Sequence, residues 1–135
     1  MKTTATTGPV ILWADDDLDD LELFREVLKQ LAPDHHLVQF ENGRLLLEHL
    51  KGLTRNAYPC LIVLDINMPV LNGRETLIAI KAEERFDNIP VAVFTTSNSP
   101  VDAAFCERYN TEMITKPPTY DQLKRVVTGL ISLCH

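Results

Sequence analysis

The sequence has no long apolar run. No stretch of its 135 residues approaches the roughly 20 that a membrane-spanning helix requires, so no membrane association is expected. It also has no excess of positive charge. Thirteen Lys and Arg stand against 19 Asp and Glu, a formal net charge of -6, and no basic stripe offers itself to phosphates, which argues against a nucleic-acid partner. Cysteine is scarce. Cys60, Cys106 and Cys134 are odd in number, widely spaced, and fit no zinc spacing or disulfide framework. They read as small apolar side chains of a protein kept in a reducing cytoplasm. No loop has the spacing of a calcium-binding EF-hand, and no repeat, low-complexity segment or linker divides the chain. Met1 to Gly8 is Thr-rich without an apolar core and reads as a short disordered tail rather than a signal peptide. Residues 9–135 read as one domain.

What the chain does have is an alternation of short apolar runs and helical stripes. Leu61-Ile62-Val63-Leu64 runs straight into Asp65, and Ile66-Asn67-Met68-Pro69 follows. A continuous apolar run this short predicts a strand buried on both faces. Val10 to Ala14, Leu37 to Phe40, Val91 to Phe94 and Thr111 to Thr115 give four more strands. Leu21, Phe24, Val27, Leu28 and Leu31 mark a helix over Leu18 to Leu31. Leu45, Leu46, Leu47 and Leu50 mark a second, after a turn at Asn42-Gly43. Gly52 to Pro59 is a loop, and a third helix runs from Gly73 to about Arg85. The fourth opens on Ser99 and Pro100 and runs to about Arg108. The fifth is capped by Thr119, with Gln122 three residues on, and buries Leu123, Val126, Val127, Leu130 and Ile131. Five strands alternating with five helices predict an α/β fold, a doubly wound parallel sheet whose commonest order is 2-1-3-4-5.

In such a sheet ligands bind at the carboxyl ends of the strands. Asp15 and Asp16 follow the first strand, Asp65 the third, Thr95 the fourth and Lys116 the fifth. Singly, each is an ordinary cap or loop residue; their meeting at one edge points to a site. Carboxylates ~4 Å apart repel by roughly 4 kcal/mol per pair at an effective dielectric near 20, so the cluster needs a proton, a lysine or a cation. All-oxygen ligation by one or two carboxylates suits Mg²⁺ with phosphate. A carboxylate can attack phosphorus and form an acyl phosphate. Asp65 is then the acceptor, Lys116 a second positive charge, Thr95 a hydroxyl donor and the Asn67 carbonyl a further metal ligand. Gly73 permits a close turn into the third helix.

The acidic pair Asp15-Asp16, the segment Leu64-Asp65-Ile66-Asn67-Met68-Pro69 with Gly73, Thr95 and the Lys116-Pro117 pair together resemble the receiver domain of two-component response regulators, a flavodoxin-like fold. The likeness spans Val10 to about Leu133. It implies phosphorylation of Asp65 by a histidine kinase or phosphotransfer protein. It also implies direct Mg²⁺ ligation by Asp16 and Asp65, with Asp15 acting through water. Lys116 then contacts the phosphoryl group and Thr95 reorients. A receiver is not an enzyme beyond its own phosphoryl transfer and dephosphorylation. The resemblance further favours a cis bond between Lys116 and Pro117. With nothing after the fifth helix in this sequence, the chain is similar to stand-alone receivers. The acid-rich Asp15 to Asp20 loop and the long Gly52 to Pro59 loop resemble regulators paired with phytochrome-like or hybrid kinases.

One position departs from the family pattern. Met113 stands where a Tyr or Phe is usual, and its many rotamers imply a softer switch. The expected signalling surface is the fourth helix, fifth strand and fifth helix, with Tyr120, Lys124 and Arg125 available to a downstream protein partner or to a second copy in a homodimer. A flavodoxin-like flavin binder needs a Ser-, Thr- and Gly-rich loop where Asp15-Asp16-Asp17 stands. A haloacid-dehalogenase-type phosphatase needs an acid where Asn67 stands. A degenerate receiver, serving only as a protein-interaction module, is at odds with the intact residue set.

Overall fold

The computed structural model describes residues 8–134. Met1 to Thr7 of the expected tail lie outside the described residues. Five strands, β1 (Val10–Ala14), β2 (His36–Phe40), β3 (Leu61–Leu64), β4 (Val91–Thr95) and β5 (Glu112–Thr115), form one parallel sheet in the order β2-β1-β3-β4-β5. Five helices connect and flank them: α1 (Leu18–Leu31), α2 (Gly43–Lys51), α3 (Gly73–Lys81), α4 (Pro100–Arg108) and α5 (Tyr120–Ile131). This is the doubly wound parallel sheet, in the order 2-1-3-4-5, expected from the alternating runs. Among the described residues no helix is long and apolar enough to cross a membrane.

The period of two along each strand decides which side chains face which layer. Ile11, Trp13, Leu61, Val63, Ala92 and Phe94 pack with α1 and α5. Leu12, Ala14, Ile62, Leu64 and Val91 pack with α2 and α3. All four residues of β3 are fully buried, as a central strand covered on both faces must be. Gly73 admits the close approach of α3 to the end of β3, since a Cβ there would collide with the Asp65 carbonyl. Its backbone is not left-handed, so close approach and not turn geometry requires the glycine. Val70, in the same loop, does adopt a positive φ of 67°, a conformation disfavoured for a β-branched residue.

Three expectations are corrected. Helix α3 ends at Lys81, because extended Glu83 bends the chain into a 3₁₀ turn (Glu84–Phe86) that drops Phe86 into the core against Tyr58. The Lys116–Pro117 bond is trans, since no cis peptide bond occurs among the described residues. Trans is the ordinary preference of such a bond, and Lys116 reaches the sheet edge without the reversal. Finally, Cys60 and Cys134 form a disulfide, their Cα atoms 4.7 Å apart across 74 residues of sequence. The topology sets the end of α5 beside the residue before β3, a meeting that short-range spacing does not reveal. Cys106 is free and buried.

Candidate phosphoacceptor and metal site

The ends of β1 and β3 are hydrogen-bonded neighbours, with Ala14 opposite Leu64, so the residues that follow them meet. One carboxylate oxygen from each of Asp15, Asp16 and Asp65 lies within 4.8 Å of the others. Asp15 and Asp65 are buried and Asp16 is exposed, so the cluster opens to solvent on one side. Asp15 is turned inward: its Oδ1 accepts from the Asp17 amide at 3.0 Å. Asp17 in turn caps α1, accepting from the Asp19 and Asp20 amides, which satisfies two orphan donors of the helix start. Asp65 Oδ1 accepts from the Asn67 amide at 3.3 Å.

Lys116 neutralises this cluster. Its Nζ donates to Asp15 Oδ2 at 2.7 Å, Asp65 Oδ2 at 2.9 Å and Asp20 Oδ2 at 2.9 Å. It lies 5.9 Å from the Phe24 ring centroid, a cation–π approach, and Phe24 packs on Trp13. Burial by itself would lower the Lys116 ammonium, but the three carboxylate partners outweigh it and hold it well above the usual lysine range. Asp15 behaves differently. Burial pushes its carboxyl up to about 6, against the opposing hydrogen bonds from Lys116 and the Asp17 amide. Thr95 is fully buried at the end of β4. Its carbonyl accepts from the Lys116 amide at 2.7 Å and its Oγ1 from the Ser97 amide at 3.2 Å, so lysine and threonine are held by one another's backbone.

The structure thus brings together Asp15, Asp16, Asp65 and Lys116, and ties Thr95 to Lys116. Asn67 lines a shallow cleft with Asp16, Met68, Asn72 and Arg74. Asp20 is the site residue the sequence reading missed. It is one of five acids between residues 15 and 20, and nothing local marks it as the one that reaches Lys116, 96 positions away. The donor set fits a hard divalent cation: all oxygen, one face open, and an ammonium already holding part of the charge a metal would compensate.

A proton on Asp15 competes with such a metal. Its carboxyl is raised from 3.8 to about 6, so the native state holds the proton more tightly than the unfolded chain. Stability linked to Asp15 is therefore greatest below pH ~4 and declines as pH rises to ~6. Metal affinity has the opposite sign. Apparent Mg²⁺ affinity is expected to be flat above pH ~7 and to fall by up to tenfold per unit below ~6. Calorimetric titrations between those limits check this, and a pH-independent affinity would contradict it.

Against this geometry, comparison with known proteins is direct. The family model for the response regulator receiver domain matches residues 11–128. The chain is 36% identical to response regulator Rcp1 of Synechocystis, over 98% of this chain and 92% of that one. It is 32% identical to a probable methanogenesis regulatory protein, FilR2, of Methanothrix harundinacea, over 87% and 78%. Among solved structures, the phosphorylated cyanobacterial phytochrome response regulator RcpA superposes with a TM-score of 0.84 at 29% identity, over 95% and 94% of the two chains. The Mn²⁺-bound form of Rcp1 gives 0.81 at 34%, over 92% of each. The chain belongs to the response regulator receiver domain family of two-component signalling.

Proposed function

We propose that this protein is a phosphoacceptor response regulator, phosphorylated on Asp65 in a Mg²⁺-dependent reaction with a histidine kinase or phosphotransfer protein. The observation that carries the reading is the convergence of Asp15, Asp16 and Asp65 at the carboxyl edge of the sheet, with the Lys116 ammonium paired to Asp15 and Asp65. An Asp65 carboxylate oxygen forms the new P–O bond while the donor's P–N bond breaks, its electron pair leaving with the imidazole. Lys116, freed from part of its present pairing, stabilises the charge on the transferring phosphoryl oxygens, and the Thr95 hydroxyl donates to one of them. Asp15, Asp16 and Asp65, with the Asn67 carbonyl, would hold Mg²⁺, and the ion would supply neutralisation of phosphoryl charge. The likeness to the Mn²⁺-bound form of Rcp1 and to phosphorylated RcpA supports the same chemistry here, and the likeness to the phytochrome response regulator RcpA supports a phytochrome-type kinase as donor.

A partner must reach a half-sunken carboxylate. Leu18, Val70 and Val101 are large apolar side chains, each more than half exposed, and all three stand at the start of α1, in the β3–α3 loop or at the start of α4. These segments follow the carboxyl ends of β1, β3 and β4, the sheet edge that carries the acids, and their exposed apolar side chains suit the apolar face of a donor helix. On the output side, Met113 packs with Ile66, Val93 and Cys106, so it joins the phosphoacceptor loop to α4, as a soft link in the switch. The α4–β5–α5 face remains the proposed surface for a downstream protein or a second copy.

The test is phosphoryl uptake from acetyl phosphate. Wild type should take up one acid-labile group, chelation should prevent it, and Asp65→Asn should abolish it. Uptake that persists in Asp65→Asn, or without metal, refutes the reading.

A further inference from the structure

The α4 helix buries no apolar stripe: the residues it commits to the interior are Asp102 and Cys106. A carboxylate 6% exposed therefore shares with Cys106 and the partly buried Phe105 the seating that leucines do elsewhere in this fold, and its partners lie on two other segments. Asp102 Oδ2 accepts from Ser97 Oγ at 2.7 Å. Ser97 Oγ also accepts from the Ser99 amide at 3.3 Å, and Ser99 caps α4. The Ser97 amide donates to Thr95 Oγ1. On the other side, Asp102 Oδ1 faces Arg74 Nη2 of α3 at 3.1 Å. That approach is an ion pair without hydrogen-bond geometry, and the oxygen is otherwise unpartnered. Arg74 itself lines the cleft beside Asp16 and Asn67.

We propose that Asp102 is a positioning residue for the Thr95 hydroxyl. It fixes Ser97, whose amide holds Thr95 Oγ1 and so leaves the hydroxyl proton directed away from that amide and free for an acceptor. This deepens the phosphoacceptor reading and rests on it. A buried carboxylate is costly unless hydrogen-bonded or paired, and here a serine hydroxyl and an arginine meet that need. The serine is the one whose backbone touches the reacting threonine. A leucine would seat α4 more cheaply but would leave Ser97 without its acceptor. Thr95, already bonded through its carbonyl to Lys116, is then held at both its backbone and its side chain in the resting state, which fixes the position from which its hydroxyl turns toward the phosphoryl group.

The experiment compares Asp102→Ala, Asp102→Asn, Thr95→Ala and the Asp102→Ala/Thr95→Ala double variant, each with Mg²⁺ and acetyl phosphate. Asp102→Ala should slow phosphoryl uptake about tenfold, the scale of a small misplacement of a catalytic group, with Mg²⁺ affinity unchanged. Asp102→Asn keeps an acceptor for Ser97 and should restore most of the rate. In the Thr95→Ala background, Asp102→Ala should have no further effect, because residues acting as a unit are not additive. Hydrogen exchange of the Ser97 amide gives a readout independent of phosphorylation. Its protection should fall in Asp102→Ala and return in Asp102→Asn. Equal slowing by Asp102→Ala with and without Thr95, or unchanged Ser97 exchange, overturns the positioning role alone. A wild-type protein that takes up no phosphoryl group overturns the phosphoacceptor reading and the positioning role with it.

Discussion

Lys116→Met is expected to destabilise the metal-free protein by about 3–5 kcal/mol near neutral pH, the usual consequence of deleting one partner of a buried ion pair. The Lys116, Asp15 and Asp65 side chains are 11%, 1% and 8% exposed, so water cannot take over the role of the ammonium. Methionine keeps the volume and the packing on Phe24 while removing the charge. Without the lysine, the acids must be protonated or separated, and the Asp15 carboxyl, already raised by burial, loses the hydrogen bond and the charge that oppose the rise. The penalty is therefore full well above the wild-type Asp15 value of about 6 and shrinks as pH falls toward that value, below which the carboxyl is protonated with or without the lysine. Mg²⁺ should return a large part of the loss, because the cation replaces the missing charge. Urea unfolding at two pH values, with and without Mg²⁺, checks all three parts. A loss independent of both pH and metal would mean that Lys116 acts through packing alone.

Breaking the Cys60–Cys134 disulfide is the second large effect. The bond closes a loop across a sequence separation of 74, and the chain-entropy relation assigns about 4 kcal/mol to a loop of that size. Cys134→Ser, or reduction of the wild type, should lower the urea midpoint accordingly, and thiol titration of the oxidised native protein should find one thiol, Cys106, only after unfolding. The disulfide sits before β3 and Asp65 after it, with the length of the strand between them. Mg²⁺ affinity should therefore be unchanged. Coincident unfolding curves for oxidised and reduced protein would count against the bond's contribution, and a changed metal affinity against its separation from the site.

What was legible in the sequence follows from how local each signal is. The buried run Leu61–Leu64 needed no neighbours to be read, and the residue after it, Asp65, inherits its place at the sheet edge from the strand itself. Ser99 and Thr119 announce helix starts through contacts two or three residues away, so these too were readable. Asp20, Ser97 and Asp102 were not, because each takes its meaning from a partner chosen by tertiary packing. Asp20 needs Lys116 folded over it, and Asp102 reads in sequence as a first-turn acid favoured by the helix dipole until Arg74 and Ser97 close around it. Cys60 and Cys134 fall in the same class. The cis bond failed for a different reason: a turn can be built in more than one way, and the trans arrangement already delivers Lys116 Nζ to all three acids.

The central claim is that Asp65 accepts the phosphoryl group. The measurement that tests it most directly is chemical trapping after incubation with acetyl phosphate and Mg²⁺. Borohydride reduces an aspartyl phosphate to homoserine, and peptide mass spectrometry locates the change. The account predicts homoserine in place of Asp65 and at no other position. An intact Asp65 with the trapped residue at Asp16 or elsewhere would contradict it.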